Sequence, residues 1–153
     1  MAAYLVVRMR GTVNIPHWAR TTLTNLNLNK KFRATIVPEN SQTLGMLRKV
    51  KDIVAWSSVD AGFITELIEK KGRKIGYKPI NVSDLPIEYN SINDLAAAIA
   101  ENRILMTKIK DFKPWFALSP PKGGFKRKSK TQYSQKGILG ENHELPQLVK
   151  TML

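Results

Sequence analysis

Residues Tyr4–Arg10 read YLVVRMR, and Gly11 follows them as a breaker. The run is rich in β-branched and large apolar residues, which predicts a strand. Because side chains alternate between the two faces of a strand, the residues divide into two sets. These are Leu5, Val7 and Met9 on one face, and Tyr4, Val6, Arg8 and Arg10 on the other. The first face suits a core. The second combines an aromatic ring with two arginines, which is unusual for a surface that binds nothing.

Helix and strand patterns continue to alternate after this strand. Two segments with apolar residues at helical spacing separate two further strand-like runs, FRATIV (Phe32–Val37) and DIVAWSS (Asp52–Ser58). The connections are too short for another element, so residues 1–59 predict a β-α-β-α-β core in an α+β fold. Two helices on one face of a three-stranded sheet is the economical packing, and it leaves the other face of the sheet uncovered.

Residues 60–118 predict a helical addition. Asp60 can cap one helix, which ends near Gly72, and Ser91 with Asp94 can open an Ala-rich second helix. Residues 119–153 predict an extended basic segment followed by a short C-terminal helix. The tryptophans, Trp18, Trp56 and Trp115, are all predicted to pack in or against the core.

Charge is the strongest global feature of the chain. The formal net charge is +13 in 153 residues, with 25 Lys and Arg against 12 Asp and Glu. Residues 1–59 hold nine basic and two acidic side chains, residues 60–102 hold five and seven, and residues 103–153 hold eleven and three. Two basic regions therefore flank a slightly acidic one, which favours a polyanion partner, with nucleic acid first and an acidic membrane second.

The most basic stretch is SPPKGGFKRKSKTQYSQKGILG, residues 119–140, with six positive charges and no acid. Its prolines, glycines and few large apolar residues predict that it cannot fold on a core of its own. A disordered solubilising tail is one reading. Phe125 and Tyr133 among the lysines favour another, in which the segment is ordered by RNA and releases counterions from phosphates.

The sequence offers little for catalysis or cofactors. There is no cysteine, which excludes disulfides and thiolate chemistry, and the two histidines, His17 and His143, have no metal-ligand spacing. The Gly-rich PKGGFKRK lacks the Walker pattern. We therefore expect no enzyme activity, no metal and no cofactor. No apolar run approaches 18 residues, and the opening MAAYLVVRMRG is too short an apolar stretch for a signal peptide. The lack of cysteine fits a reducing cytoplasm, so a cytoplasmic location is expected.

Four stretches resemble one family of large-subunit ribosomal proteins, called L-thirty in bacteria and archaea and L-seven in eukaryotes. They are MRGTVNIP, the strand end Val37–Glu39, LGMLRKVKDIVAW from Leu44 to Trp56, and LSPPKGGFK from Leu118 to Lys126. The last, with the later GILGEN, is similar to the archaeal and eukaryotic form. The first strand begins close to the start of the sequence, without a long basic extension, which favours the archaeal form. Leu44 is a departure, since the family often has a basic residue before Gly-Met.

The resemblance implies a ferredoxin-like core with a three-stranded antiparallel sheet. It also implies a structural role in the large ribosomal subunit, binding large-subunit rRNA near the 5S RNA and contacting neighbouring proteins, with no catalysis, cofactor or metal. Gly45 agrees with this role, because a glycine in a short helix weakens it but lets an RNA backbone approach closely. Residue reasoning and resemblance together give these candidate RNA contacts: Arg8, Arg10, Gly11, Asn14, Gly45, Met46, Arg48, Lys49, Lys122, Gly123, Gly124, Lys126, Arg127, Lys128, Lys130 and Lys136.

Three other classes of protein remain as alternatives. A free RNA-binding protein or RNA chaperone would use the same basic surfaces without residing on the ribosome. An RNA-acting enzyme would need a catalytic constellation that the sequence does not display. A peripheral membrane protein would need a basic amphipathic helix, whereas the lysine-rich segment has no apolar face.

Overall fold

The structure, a computed structural model, describes residues 3–11, 15–81, 83, 89–109 and 111–153. The strands are β1 (Ala3–Arg8), β2 (Arg33–Pro38), β3 (Val54–Val59), β4 (Arg73–Lys74), β5 (Lys78–Pro79), β6 (Phe116–Ala117), β7 (Lys128–Gln132) and β8 (Gly137–Glu141). The helices are α1 (His17–Asn25), α2 (Ser41–Lys49), α3 (Ala61–Lys71), α4 (Ile92–Ala100) and α5 (Leu145–Lys150). The predicted order β-α-β-α-β is therefore present in the first 59 residues.

The main sheet has six strands in the order β6-β2-β1-β3-β8-β7. At its centre β1 pairs antiparallel with both β2 and β3, so that Leu5 lies between Ile36 and Ser57. The expected three-stranded antiparallel sheet is present as this centre. The sheet extends further on both sides, since β6 is antiparallel to β2 on one side, and β8 and β7 add in parallel beyond β3 on the other.

Helices cover both faces of the sheet, so the expectation of an uncovered face is wrong. On one face, Tyr4 and Val6 pack with buried residues of α1 and α2 such as Leu23 and Leu47. On the other face, Leu5 and Val7 pack with α3, α4 and α5. The reason is that the apolar stripes of α3 and α4 also need a partner, and the second sheet face provides it.

Local capping explains where three helices begin. Asp60 accepts a hydrogen bond from the Phe63 amide at 2.9 Å, and Ser91 accepts one from the Asp94 amide at 3.2 Å. Both caps were predicted. For α2 the cap is Asn40, which accepts from the Thr43 amide at 2.8 Å. Each side chain satisfies an amide that the first helical turn leaves without an intrahelical partner.

The basic segment is part of the folded protein, although it has no core of its own. Ile138 and Leu139 in β8 are 3% and 1% exposed, within the core under α3 and α5. They become buried because β8 adds to the edge of β3, where Gly140 pairs with Ala55. The segment thus shares a core with the central strands and with α3 and α5, which its own composition does not reveal.

Residues 118–127 run from one edge of the sheet to the other, from β6 to β7. The amides of Ser119 and Lys122 donate to the carbonyls of Met152 and Thr151, at 3.0 and 3.2 Å, just beyond α5. Gly123 and Gly124 then turn the chain with φ of +80° and +76°. Two successive residues in the left-handed region are sterically unfavourable for any residue with a Cβ, so this turn favours a pair of glycines.

Candidate nucleic-acid interface

One end of the sheet gathers loops from the whole chain. Here β1 ends, β2 and β3 begin, and residues 118–127 cross between the edges. The amide of Met9 donates to the carbonyl of Ile53 at 2.9 Å, and that of Phe32 donates to the carbonyl of Arg8 at 2.7 Å. We call this the basic end, and its exposed cations are Arg10, Lys30, Lys31, Lys49, Lys51, Lys126, Lys128 and Lys136.

Specific contacts tie the C-terminal segment to the core at the basic end. The ring of Phe125 lies 6.2 Å from that of Phe32, just before β2. The side-chain amide of Gln132, at the end of β7, donates to the carbonyl of Lys51 at 3.0 Å and to the carboxylate of Asp52 at 2.9 Å. These contacts place the two basic regions of the sequence side by side.

Three cations of the basic end were missed by sequence reasoning: Lys30, Lys31 and Lys51. The first two lie just before β2. In an antiparallel pair the start of β2 must lie beside the end of β1, so the element order alone places these lysines beside Arg10. Lys51 lies in the turn between α2 and β3, and the same argument applies to it.

Arg8 lies inside the protein instead of on an open face. Arg8 is only 3% exposed. The guanidinium donates to three backbone carbonyls, those of Arg10 at 2.9 Å, Leu28 at 2.8 Å and Gly11 at 3.1 Å. Burial, and secondarily the charge of Arg20, lower the pKa of Arg8. Its donors hold the loop after β1 in shape, which sets the position of Arg10.

The candidate RNA contacts on α2 differ in how far they are buried. Gly45 is exposed, and a Cβ added there would meet nothing within 4 Å. The protein's own packing therefore does not require a glycine. Met46 is half-buried against the core that Leu23 and Leu47 share, whereas Arg48 and Lys49 are exposed in the last helical turn. Cations at that position are also stabilised by the negative end of the helix dipole.

The C-terminal candidates divide in the same way. Arg127 is engaged within the protein: its guanidinium lies 4.3 Å from the ring centre of Tyr133, and it donates to the Tyr133 carbonyl at 2.9 Å. It also pairs with Glu144 at 3.4 Å. The remaining basic side chains of the segment are exposed: Lys122, Lys126, Lys128, Lys130 and Lys136. Asn14, also predicted as a contact, lies outside the described residues.

The opposite end of the sheet carries acidic residues. Glu39 follows β2 and Asp60 follows β3 at this end, and Glu141, the last residue of β8, lies beside Trp56 in the middle of the sheet. The pKa of Tyr4, at this end of β1, is raised by burial first and by the charges of Glu39 and Glu141 next. The sheet is therefore polarised, with cations at one end and carboxylates at the other.

The tryptophans do not all pack as predicted. Trp56 is 4% exposed in the core. Trp18 on α1 is 57% exposed, so the prediction that it packs against the core is wrong. Trp115 is partly exposed beside the edge of the sheet.

The described residues contain neither a metal-binding cluster nor a membrane-spanning helix. Within the part of the chain that the structure describes, no group of three or more His, Cys, Asp or Glu side chains could hold a metal ion. In the same residues, no helix combines the length and the apolar character that crossing a bilayer requires.

The fold and the charge distribution define a small basic α+β protein with one surface suited to a polyanion. A sequence model of the family "Ribosomal protein L30p/L7e" matches residues 4–54. Curated relatives match nearly the whole chain under the name "Large ribosomal subunit protein uL30". The protein of Cenarchaeum symbiosum is 51% identical over 152 residues, which cover 99% of this chain and 98% of the relative. That of Nitrosopumilus maritimus is 49% identical with the same coverage.

A more distant relative, from Staphylothermus marinus, is 38% identical over 159 aligned residues, 98% of both chains. The chain belongs to the uL30 family of ribosomal proteins. The resemblance to the archaeal form is confirmed by these relatives, and it extends through the C-terminal region that the family model does not cover.

Proposed function

We propose that this protein is a structural constituent of the large ribosomal subunit, where it binds large-subunit rRNA close to the 5S RNA and contacts neighbouring ribosomal proteins. The observation that carries the proposal is the convergence of both basic regions at one end of the sheet. Gln132 and Phe125 bring the C-terminal lysines to the loops that present Arg10 and Lys49. The names of the relatives support the same role.

Recognition by the basic end is of phosphate and sugar rather than of base sequence. Its exposed cations are lysines and one arginine, and contacts of such groups with phosphates position a protein on RNA without reading the base sequence. The cations come from several loops at fixed relative positions, so the surface fits the shape of a folded RNA. Gly45 gives a point of close backbone approach on α2, and Arg8 organises the loop from beneath.

Structural binding, without catalysis, is the chemistry this surface supports. The family is one of ribosomal proteins and not of enzymes. The basic end offers exposed ammonium and guanidinium groups, with Asp52 bound by Gln132. Such a surface neutralises phosphates and releases their counterions.

Equilibrium binding to large-subunit rRNA across a salt series tests the proposal. The variant Arg10→Gln, Lys49→Gln, Lys128→Gln removes three exposed cations of the basic end and leaves the buried contacts intact. We expect weaker binding and a salt dependence, log K against log salt, that is shallower by about three, since each phosphate contact contributes about one.

The matched control removes the same charge elsewhere: Arg103→Gln, Lys108→Gln, Lys150→Gln. Arg103 pairs with Glu101 at 2.8 Å, and Lys150 lines a groove with Asp60 at the acidic end. The control is expected to change the salt dependence by less than one. Equal effects of the two triple variants would contradict a localised interface. Equal affinity of the wild type for unrelated folded RNAs would support an RNA chaperone instead.

A further inference from the structure

Beside the β6 edge of the sheet, rings and cations alternate in one cluster. The guanidinium of Arg33 lies 3.8 Å from the ring centre of Trp115, and the ring of Tyr77 stacks on Trp115 at 6.2 Å with 29° between planes. Arg73 lies 5.3 Å from the ring centre of Tyr77, and Lys113 lies 5.4 Å from that of Trp115. We call these five residues the aromatic ladder.

A short hairpin, β4–β5, holds Tyr77 in the ladder. Its loop is Ile75, Gly76 and Tyr77, closed by a hydrogen bond of 2.9 Å from the Tyr77 amide to the Lys74 carbonyl. The hairpin is anchored on the residues before β6, because the Ile75 amide donates to the Asp111 carbonyl at 2.9 Å and the Lys113 amide donates to the Arg73 carbonyl at 3.0 Å. The rings are therefore placed by backbone contacts on both sides.

The position of Tyr77 is unfavourable for the protein alone. Its φ is +60°, next to Gly76 at +83°, and an aromatic residue is rarely found in the left-handed region. The side chain gains little burial in return, since Tyr77 is 49% exposed and Ile75 is 67% exposed. Glycine would suit this backbone better, and within the protein the tyrosine gains only the contacts of its ring with Trp115 and Arg73. An exposed aromatic residue in this conformation is a candidate for function, which the neighbouring charges then have to specify.

The charges of the ladder identify the chemistry of its ligand. Among the described residues, no carboxylate forms an ion pair with Arg33, Arg73 or Lys113. One exposed ring and one partly exposed ring, interleaved with cations that have no carboxylate partner, attract a ligand that is both flat and anionic. Unpaired RNA bases stack on aromatic side chains and arginine planes while their phosphates meet nearby cations. A basic protein extension would be repelled by the same cations.

We propose that the aromatic ladder binds one or two unpaired nucleotides of RNA by stacking. This inference rests on the proposed function and adds to it a second kind of contact, one that requires single-stranded RNA. Arg33 is the first residue of β2 and follows Lys30 and Lys31 closely in the chain, so the ladder continues the basic end around the β6 edge. An rRNA helix at the basic end would bring an adjacent bulge or loop to the ladder.

Binding of the full chain to two fluorescent RNAs tests the ladder: a 12-nucleotide oligoadenylate and a 12-base-pair RNA duplex. The variant is Tyr77→Gly, which removes the ring and suits the positive φ, so the protein stays folded. We expect affinity for oligoadenylate to fall by roughly 5- to 100-fold, the range for loss of one stacked base. Affinity for the duplex and the salt dependence should not change. Trp18→Ala, another exposed aromatic, is the matched control and should change neither affinity.

The other outcomes separate this inference from the proposed function. Unchanged oligoadenylate binding by Tyr77→Gly, or equal losses for both RNAs, would overturn the ladder and leave rRNA binding by the basic end standing. Failure of the wild type to bind any RNA would overturn both. In native large subunits, ultraviolet cross-linking should join Tyr77 or Trp115 to a nucleotide. A cross-link to a peptide instead would mean that the ladder binds a protein.

Discussion

Arg8 and Arg10 are two residues apart, yet the structure gives them different surroundings. Arg8 donates three hydrogen bonds to backbone carbonyls, and Arg10 is exposed at the basic end. Arg8→Lys cannot reproduce the planar fork of donors. It should lower the free energy of unfolding by about 1–3 kcal/mol, because the carbonyl of Leu28 loses its partner in a buried position.

Arg10→Lys supplies the comparison, since it keeps the charge in an exposed position. We expect no change in its unfolding by urea. For RNA binding, folded Arg8→Lys should retain the salt dependence of the wild type, whereas removing the charge in Arg10→Gln should reduce it by about one. A reduced salt dependence for Arg8→Lys with unchanged stability would mean that Arg8 contacts RNA directly.

Gly45 offers a substitution with opposite effects on the free and the bound protein. A Cβ has room there, so Gly45→Ala should raise the free energy of unfolding by up to about 1 kcal/mol through helix propensity. The same methyl group should weaken rRNA binding if an RNA backbone approaches α2 at this residue. Urea unfolding and rRNA binding measure the two effects.

Gly62 in the first turn of α3 is a matched control for Gly45. It is also an exposed helical glycine, and the nearest atom to an added Cβ is an oxygen of Asp60 at 3.7 Å. Gly62→Ala should leave rRNA affinity unchanged because α3 begins at the acidic end. Unchanged affinity for Gly45→Ala as well would show that this glycine is not a point of approach.

Sequence reasoning at single positions was most successful where the cause is local. The caps Asp60 and Ser91 were predicted because a side-chain oxygen needs only an amide three residues away. The burial of Arg8 was not predicted, since its partner Leu28 lies 20 residues away. The exposure of Trp18 was missed for a similar reason: burial depends on what the rest of the fold places opposite.

Strands β7 and β8 depend on close approach between their backbones. A Cβ on Gly137 would overlap the carbonyl of Thr131 across the parallel pair. Gly137→Ala should therefore lower the free energy of unfolding by about 1–3 kcal/mol, the usual effect of inserting a methyl group where there is no room. Lys130→Ala, on the exposed surface of β7, is the control and should have little effect. Equal stability of the two variants would contradict the pairing of β7 with β8.

The same pairing explains which elements the sequence could predict. The alternation in β1 and the helical stripes of α3 and α4 are local patterns, and these elements form near the predicted positions. Strand β8 has five residues, two of which are glycines, and such a sequence is a weak pattern for a strand. It forms because β3 presents an open edge, which is a property of the sheet and not of residues 137–141.

Across the whole molecule, charge is organised along the strands. Loops at the start of β2 and β3 carry lysines, and the ends of β2, β3 and β8 carry carboxylates. The regional charges of the sequence predicted a polyanion partner but not this polarity, because the basic end combines residues about 100 positions apart, such as Lys31 and Lys126. Tertiary contacts through Phe32 and Gln132 create it.

The most direct test of residence on the ribosome is sedimentation of a native cell extract through a sucrose gradient at low and moderate salt, with the protein followed by mass spectrometry. We predict that it sediments with the large subunit in stoichiometric amount and remains there after the salt wash, since contacts buried within an assembled subunit are screened much less than exposed ones. Sedimentation as free protein, or release into RNA of all sizes at moderate salt, would contradict the account and favour an RNA chaperone.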